Sequence, residues 1–537
     1  MEYVKYIFGL LLIPLLLVAQ KPTGLSSAIY NKENYAECGL PMMFELRKSG
    51  EGRARPTLSG TELFVNKTHF RIHYTLSGGD ATTTAYAESA GVYAESVWTR
   101  LTALGWYMAP PDGSNGGDTR YDIYIRALGG YLGVCYDENP YTSPFPDGYS
   151  SWVEIINTGI TYTRESALVT HEFGHGCQMR YSRSEEPFWW FYENTSVFLE
   201  DIVFDNVNTL PGRLTGSTDD PLDNPDYPIN RATGVYEYRG ALWTHFLDEY
   251  YETYPARSVR RIWELCGNHV GNYVLKDIDS TLGLYYDSDF KKALGHYAIW
   301  RYFAGTIDDG RHYEEGSTYP DISLLRTHTT YPASGNEGSD DPSGPGGCNY
   351  IKFTNFGSNR VTLSFNGLNG YEWSAYVIGR YGSTSYEYKI MLETTQDTGS
   401  ITIPGWEYSE IILIPIVTQW ASSANYLTYT YNVTLSATDK NIAGEELGPN
   451  YIGFSARPNP AQNKVLINYF LPINEKGVLR IYNTTGQLIK TRELTSTTNS
   501  FIWNRQDNYC NIVKNGIYII ELTSGNQIKK QKVLLLD

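Results

Sequence analysis

Apolar and polar positions along this chain change period twice. Between residues 60 and 160, Leu63 to Tyr74, Tyr121 to Ile125 and Trp152 to Ile156 read as strands, with a helical stretch near 83–104 among them. From about 163 to 305, apolar residues recur every three or four positions. Tyr238 to Tyr250, Ala256 to Cys266 and Phe290 to Phe303 are therefore predicted as helices. Residues 334–347 are so rich in Gly, Ser, Asp and Pro that a linker burying nothing is expected. Residues 348–437 then show short strands, as in Val361 to Phe365 and Ile411 to Ile416, which suggest a β-sandwich. A second linker at 438–452 leads into a last all-β unit at 453–537. The expected architecture is an α+β domain over 20–333, a mixed sheet with a helical subdomain, followed by two all-β sandwich domains.

The N-terminus modifies this picture. Lys5 precedes an apolar run, Tyr6 through Ala19, shorter than the ~20 residues a spanning helix needs, so residues 1–19 are expected to be a signal peptide. No later segment is apolar enough to span a bilayer, and an exported, monomeric protein is expected. The net charge of -16 argues against nucleic acid or an anionic membrane as partner. Six cysteines permit disulfides, but their spacings match no framework. None forms a Cys-x-x-Cys pair, so a cysteine zinc cluster is not expected, and some or all can be small buried residues.

The chemistry is concentrated at His171-Glu172-Phe173-Gly174-His175. On a helix, His171 and His175 project from one face a turn apart, so both can bind one Zn²⁺ at ~2.0–2.1 Å. Glu172 beside them can act as general base on a water activated by the metal. A third histidine in the metzincin arrangement would need Gly and His at positions occupied by Gln178 and Tyr181. Further along, Glu193, Val197 and Glu200 share one helical face. Glu193 is the candidate third ligand, and Glu200 the candidate partner behind a ligand histidine. Asp201, its rival, is expected at the surface. Cys177 lies on the far side of its helix and reads as core. His245, His269 and His296 read as core or surface histidines.

His171-Glu172-x-x-His175, Trp189-Trp190, Glu193 and Glu200 together resemble the gluzincin metallopeptidases, the clan of thermolysin and the neutral aminopeptidases. The resemblance implies a zincin-like catalytic domain hydrolysing peptide bonds. It also implies an oxyanion-stabilising tyrosine within Tyr236-Glu237-Tyr238-Arg239-Gly240-Ala241, either Tyr238 or Tyr236. The stretch from Cys38 to about Leu325 is similar to a family of bacterial exported metalloproteases, through Tyr121 to Ile125, His171 to Gln178, the Glu193 segment and Arg261 to Glu264. Gly133 to Asn139 lacks the Gly-x-Met-Glu-Asn pattern with which the aminopeptidase branch holds a substrate amine. An endopeptidase is therefore expected, with Tyr131 to Tyr136 or Val153 to Ile156 as the edge strand that pairs with protein or peptide substrate. Cys38-Gly39-Leu40-Pro41 is similar to the latency switch of other zinc proteases, in which a thiolate fills the open metal position. The alternative is a cell-surface binding or adhesion protein whose zinc site is structural or vestigial.

The last unit carries a second resemblance. Ala456-Arg457-Pro458-Asn459-Pro460, Val478 to Gln487, Asn515 to Ile519 and Lys529 to Val533 resemble the C-terminal sorting domain of type IX secretion substrates. That implies export across an outer membrane by the secretion machinery, with attachment to the cell surface or release. No catalysis is expected from residue 348 onward.

Overall fold

The computed structural model describes residues 36–536 apart from 51–52, 159, 184–188, 234, 270, 272–273, 338–340, 382–384, 393–396, 421–425, 438–451, 458, 463, 472–475, 495–497 and 510. The signal peptide expected at 1–19 lies outside the described residues, as does nearly all of the linker expected at 438–452. The fold is mixed α/β with several sheets.

The first unit begins with β1 (Ala36–Cys38) and α1 (Leu40–Lys48), then β2 (Glu62–Asn66), β3 (Phe70–Thr75), α2 (Thr84–Ala103), β4 (Tyr121–Arg126), β5 (Tyr131–Pro140) and β6 (Tyr149–Ile156). The stretch Leu63 to Tyr74 is thus a hairpin rather than one strand. Thr83 caps α2 by accepting the Tyr86 amide at 3.1 Å. The six strands run in the order β1-β5-β6-β4-β3-β2. β6 lies between β5, antiparallel, and β4, parallel, so it has no free edge. Helices α2 and α3 (Tyr162–Tyr181) pack on this sheet. Elsewhere on the sheet, buried Glu154 pairs with Arg53 at 3.3 Å, and Arg55 pairs with Asp112, Asp122 and Glu138. Buried charge is tolerable there because each carboxylate has a guanidinium partner.

The helical part comes next as α4 (Trp189–Val203), α5 (Thr209–Leu214), α6 (Tyr236–Arg239), α7 (Ala241–Tyr251), α8 (Arg257–Asn268), α9 (Val274–Tyr286) and α10 (Phe290–Tyr302). The helix expected over Tyr238 to Tyr250 is broken in two at Gly240. Asn194 Nδ2 of α4 donates to the Glu237 carbonyl at 2.6 Å, taking the acceptor a continuous helix would use. A side chain at 240 would also collide with Asn194, since its Cβ would lie 2.8 Å from Nδ2. Glycine permits that close approach.

The next nine strands are β7 (Arg326–His328), β8 (Ala333–Glu337), β9 (Ile351–Phe353), β10 (Asn359–Gly367), β11 (Trp373–Tyr381), β12 (Ser385–Leu392), β13 (Thr398–Pro404), β14 (Glu410–Val417) and β15 (Tyr429–Ala437). They form sheets ordered β13-β10-β15-β8 and β12-β11-β14-β9-β7, the expected two-sheet arrangement. The boundary differs from expectation. β7 and β8 precede or enter the supposed linker, and residues 341–347 beyond them are packed. Asp341 and Gly344–Gly347 are buried; the Gly346 amide donates to Val417 O at 2.8 Å and the Ser343 amide to Asp226 O at 2.9 Å. Arg301 of α10 reaches Gly346 O at 3.2 Å. Loop composition here marked irregular backbone, but neighbouring elements satisfy its polar groups, so it is a seam rather than a tether. The continuous apolar run of β14 has the same origin. Ile411 and Leu413 face the sandwich core, whereas Ile412, Ile414 and Ile416 face the helical core.

The last strands are β16 (Gly453–Arg457), β17 (Val465–Phe470), β18 (Gly477–Asn483), β19 (Leu488–Leu494), β20 (Thr498–Trp503), β21 (Gly516–Ser524) and β22 (Gln527–Leu535). Sheets β16-β17-β20 and β19-β18-β21-β22 enclose Ile467, Leu479, Ile481, Trp503, Ile520 and Val533. Among the described residues no helix is long and apolar enough to cross a membrane. Cys38, Cys135, Cys177, Cys266 and Cys348 are all free and buried. None of them forms a disulfide, and Cys510 lies outside the described residues.

Candidate metal centre

His171 and His175 lie on one face of α3, with ring centroids 4.8 Å apart. Helix α4 crosses α3 and brings Glu193 to them: Glu193 Oε2 is 2.9 Å from His171 Nε2 and 3.6 Å from His175 Nε2. Glu200, seven residues on, meets the other face of the first imidazole, with Oε1 2.8 Å from His171 Nδ1. Thr209 Oγ1 donates to Glu200 Oε2 at 2.6 Å and Arg213 Nη2 donates to both its oxygens at 3.0 and 3.1 Å. Glu200, Thr209 and Arg213 therefore set the ring so that Nε2 points at Glu193. His175 is held by residues the motif gave no reason to single out. Gln178 Oε1 and Ser196 Oγ lie 2.8 and 3.1 Å from its Nδ1. The only available signal was the position of Gln178 one turn beyond His175.

A fourth donor arrives from the N-terminal side. Cys38 Sγ lies 3.5 Å from His175 Nε2 and 3.6 Å from Glu172 Oε2. One donor atom each from Cys38, His171, His175 and Glu193 fall within 4.8 Å of one another, all four side chains buried. Tetrahedral donors at ~2.0–2.3 Å from a zinc ion stand roughly 3.3–3.7 Å apart. His175 with Glu193 and with Cys38 match that at 3.6 and 3.5 Å, His171 and Glu193 stand closer at 2.9 Å, and the set spreads to 4.8 Å, so the donor types suit such an ion and the spacing suits it in part. Glu193 Oε1 and Glu172 Oε1 are buried without a hydrogen-bond partner among the described residues. Two carboxylates, a thiol and two imidazoles buried in so small a volume need their charges balanced, by protonation, by imidazolium charge or by a bound cation.

The chain's own groups supply part of that balance. Burial pushes Glu172 up to about 8; the His171 charge opposes this and Glu193 reinforces it. Burial would also raise Glu193, but charge attraction from His175 and hydrogen bonds from both histidines bring it down to about 2. Burial raises the Cys38 thiol well above its ordinary value, helped by the charges of Glu172 and Glu193. The cluster therefore has one ionised carboxylate at its centre and a proton-holding carboxyl beside it. Glu172 also lies under β5, where a Cβ at Gly133 would fall 2.5 Å from its Cγ. Only glycine lets the strand pass that close.

The two candidate tyrosines separate. Tyr238 has its ring 6.0 Å from that of His171, and the charges of Glu193, Cys38 and Glu172 raise its phenol further beyond the effect of burial. Tyr236 is buried against Tyr227, under the influence of Tyr297 and Arg301, so it is not brought to the cluster. Asp201, expected at the surface, is half-buried; its charge is felt by His245 rather than by His171. His269 pairs with Asp277 at 2.7 Å and His296 stacks on Tyr250, as packing residues do. Cys177 is fully buried core. Of the two strands expected as a substrate edge, β6 is interior. The outer side of β5 is paired in parallel with β1, Ala36 opposite Tyr131 and Cys38 opposite Gly133.

Residues 455–536 match the family described as the secretion system C-terminal sorting domain. The chain is accordingly a secreted or cell-surface protein of a Bacteroidetes-type bacterium, and this domain is the part that engages the secretion machinery. No curated protein matches the chain. Among solved structures, 16% of the chain is similar to 12% of PorZ, a surface component of the type IX secretion system of Porphyromonas gingivalis, at 22% identity and a TM-score of 0.14. Latent PorU of the same organism is 12% identical over 33% of this chain and 18% of its own, with a TM-score of 0.18. A β-glucuronidase of Parabacteroides merdae is 10% identical over 34% of this chain and 26% of its own, at 0.14. The chain thus spans well under two thirds of each of these proteins, and likenesses at such scores carry no argument about its fold or activity.

Proposed function

We propose that the chain is a secreted zinc metallopeptidase, an endopeptidase with a zincin-like catalytic domain that precedes the first sandwich. The observation that supports this most is the convergence of His171, His175 and Glu193 with Glu172 beside them and Glu200 behind. Zn²⁺ held by His171, His175 and Glu193 would polarise the scissile carbonyl and acidify a water. Glu172, buried and of raised proton affinity, takes the proton of the attacking water and passes it to the departing amine. Tyr238, whose ring lies 6.0 Å from that of His171, would donate a hydrogen bond to the carbonyl oxygen as charge develops on it. The β5 edge, where accessible, would hold an extended substrate by backbone pairing.

The test uses full-length protein carrying Cys38→Ser, so that no protein thiol competes for the metal. One zinc per chain is expected, lost in His171→Ala. Hydrolysis of a proteome-derived peptide library is expected to disappear on adding Glu172→Gln while the zinc remains. Chelator-insensitive hydrolysis in the Glu172→Gln protein would sink the reading.

One observation favours a second reading. Cys38 completes a set of four protein donors, which is how structural zinc sites are closed. A cell-surface binding or adhesion protein with such a site would hold zinc and hydrolyse nothing, even with Glu172 intact.

A further inference from the structure

Cys38 occupies two places at once. Its sulfur stands among the donors of the candidate metal centre, 3.5 Å from His175 Nε2. Its backbone belongs to β1, which covers the outer side of β5 from Tyr131 to Gly133. The same short segment therefore stands where a fourth ligand would bind and where an extended substrate would lie. We infer that β1 and Cys38 form a built-in latch, with the Cys38 thiolate as a releasable fourth ligand and β1 as a strand occupying the substrate edge. This rests on the metallopeptidase reading and adds to it how the site is regulated.

The surroundings are built to hold this arrangement. The Gly39 amide donates to Gly133 O at 2.8 Å, extending the pairing of β1 by one residue. A Cβ at Gly39 would lie 2.8 Å from Val134 Cβ, so only glycine lets the segment seat this closely. The Leu40 amide points at Cys38 Sγ at 3.3 Å, and α1 begins at Leu40. The amide donor and the helix N-terminus act against the burial and the Glu172 and Glu193 charges that raise this thiol. Beyond the cysteine, Leu40, Met43 and Phe44 are buried, with Phe44 edge-on to Tyr192, the neighbour of Glu193. Arg47 pairs with Asp137 of β5 at 3.0 Å and donates to Arg183 O at 2.6 Å, fastening α1 across the ends of β5 and α3.

Glu172 gives the latch a consequence. Its Oε2 is 3.6 Å from the same sulfur, so with the latch closed the general base faces the Cys38 sulfur instead of a water. With a metal held by His171, His175 and Glu193, opening would free the position of the Cys38 sulfur for a water. The thiolate takes a proton from solvent as it leaves, and no electron changes hands. The incoming water is then the one Glu172 can deprotonate.

Cobalt in place of zinc reads the sulfur directly, because a thiolate ligand gives Co²⁺ an intense charge-transfer absorption that nitrogen and oxygen ligands lack. Full-length protein should bind one Co²⁺ with that absorption. Cys38→Ser and Cys38→Ala should keep one Co²⁺, lose the absorption and hydrolyse a quenched peptide mixture roughly tenfold faster or more. Gly39→Val, which pushes β1 off β5 while keeping the thiol, should raise hydrolysis as well. One Co²⁺ without the absorption in the unaltered protein overturns the latch and leaves the metallopeptidase standing. Absorption in the unaltered protein, with Co²⁺ binding lost or hydrolysis not gained in both Cys38 variants, overturns the latch in favour of a structural site. No stoichiometric Co²⁺ in any variant overturns both.

Discussion

Gln178 Oε1 lies 2.8 Å from Nδ1 of His175, three residues apart on one helix. Its amide nitrogen donates to Tyr192 O at 3.0 Å and to Ser196 Oγ at 3.2 Å, which fixes the oxygen toward the imidazole. The neutral imidazole of His175 then carries its proton on Nδ1, which would leave Nε2 for a metal. Gln178→Leu should weaken zinc binding by about 10–100-fold in a chelator competition, with the circular dichroism spectrum unchanged. Zinc affinity equal to the unaltered protein would show that the hydrogen bond orients nothing.

Glu200 serves His171 in the same way, but it is also the counter-charge of a mostly buried arginine. Glu200→Ala should therefore do two kinds of damage. Zinc affinity should fall, and stability to urea should drop by about 3–5 kcal/mol because Arg213 loses its carboxylate. Glu200→Gln keeps an acceptor for Arg213 and should lose clearly less stability than the alanine. Equal losses would mean that the charge does not matter.

Tyr238 and Tyr236 sit two residues apart and should behave oppositely. With Cys38→Ser in the background, Tyr238→Phe is expected to lower kcat by about 10²–10³ with little change in KM, as for other lone oxyanion donors. Tyr236→Phe should leave both constants unchanged, since that ring packs on Tyr227 and the charges acting on its phenol are those of Tyr297 and Arg301 rather than of the cluster. The reverse pattern in steady-state kinetics would reassign the role.

Asp248 gives the protein a pH dependence unrelated to the metal. Burial raises its carboxyl to about 7 although the Ala256 amide and Ser258 hydroxyl donate to it. The ordinary value is 3.8, so between about 4 and 7 the folded chain holds a proton that the unfolded chain has lost. Stability should therefore be greatest below about 4 as far as this group is concerned, and fall as pH rises toward 7. The contribution is on the order of 4 kcal/mol at most. Asp248→Asn should flatten that part of a pH series of urea midpoints; an unchanged slope would exclude Asp248 as its source.

The packed seam at 341–347 joins the helical part to the first sandwich, with Arg301 tied to Gly346 O and to Cys348 Sγ. Calorimetry should show them melting in a single transition. Two resolved transitions, each assignable to one of them, would restore the picture of a tether.

Much of the candidate site was legible because its spacing is local. His171, Glu172 and His175 are related by one helical turn, and Glu193 and Glu200 by two, so the 3.6-residue period alone groups them. The strands of both sandwiches were legible for a similar reason, as were the features of the C-terminal sorting domain. Gln178 was in view only as a residue that excluded a third histidine; its hydrogen bond depends on the Tyr192 carbonyl and Ser196 of the crossing helix.

By itself, then, the sequence determined the pairing of candidate metal donors along each helix, the strand content of the β units and the route out of the cell. Tertiary structure alone decided which distant groups meet. Cys38 and Glu172 are separated by 134 residues, and no periodicity spans such a gap. Pairing of β1 with β5 brings them together, a choice set by backbone hydrogen bonds and the two glycines that allow close approach. The break at Gly240, made by Asn194 of another helix, accompanies the separation of Tyr238 from Tyr236. Residues 341–347 became a seam because two neighbouring cores needed them. Local periodicity encodes which face a residue occupies; only packing determines what that face meets.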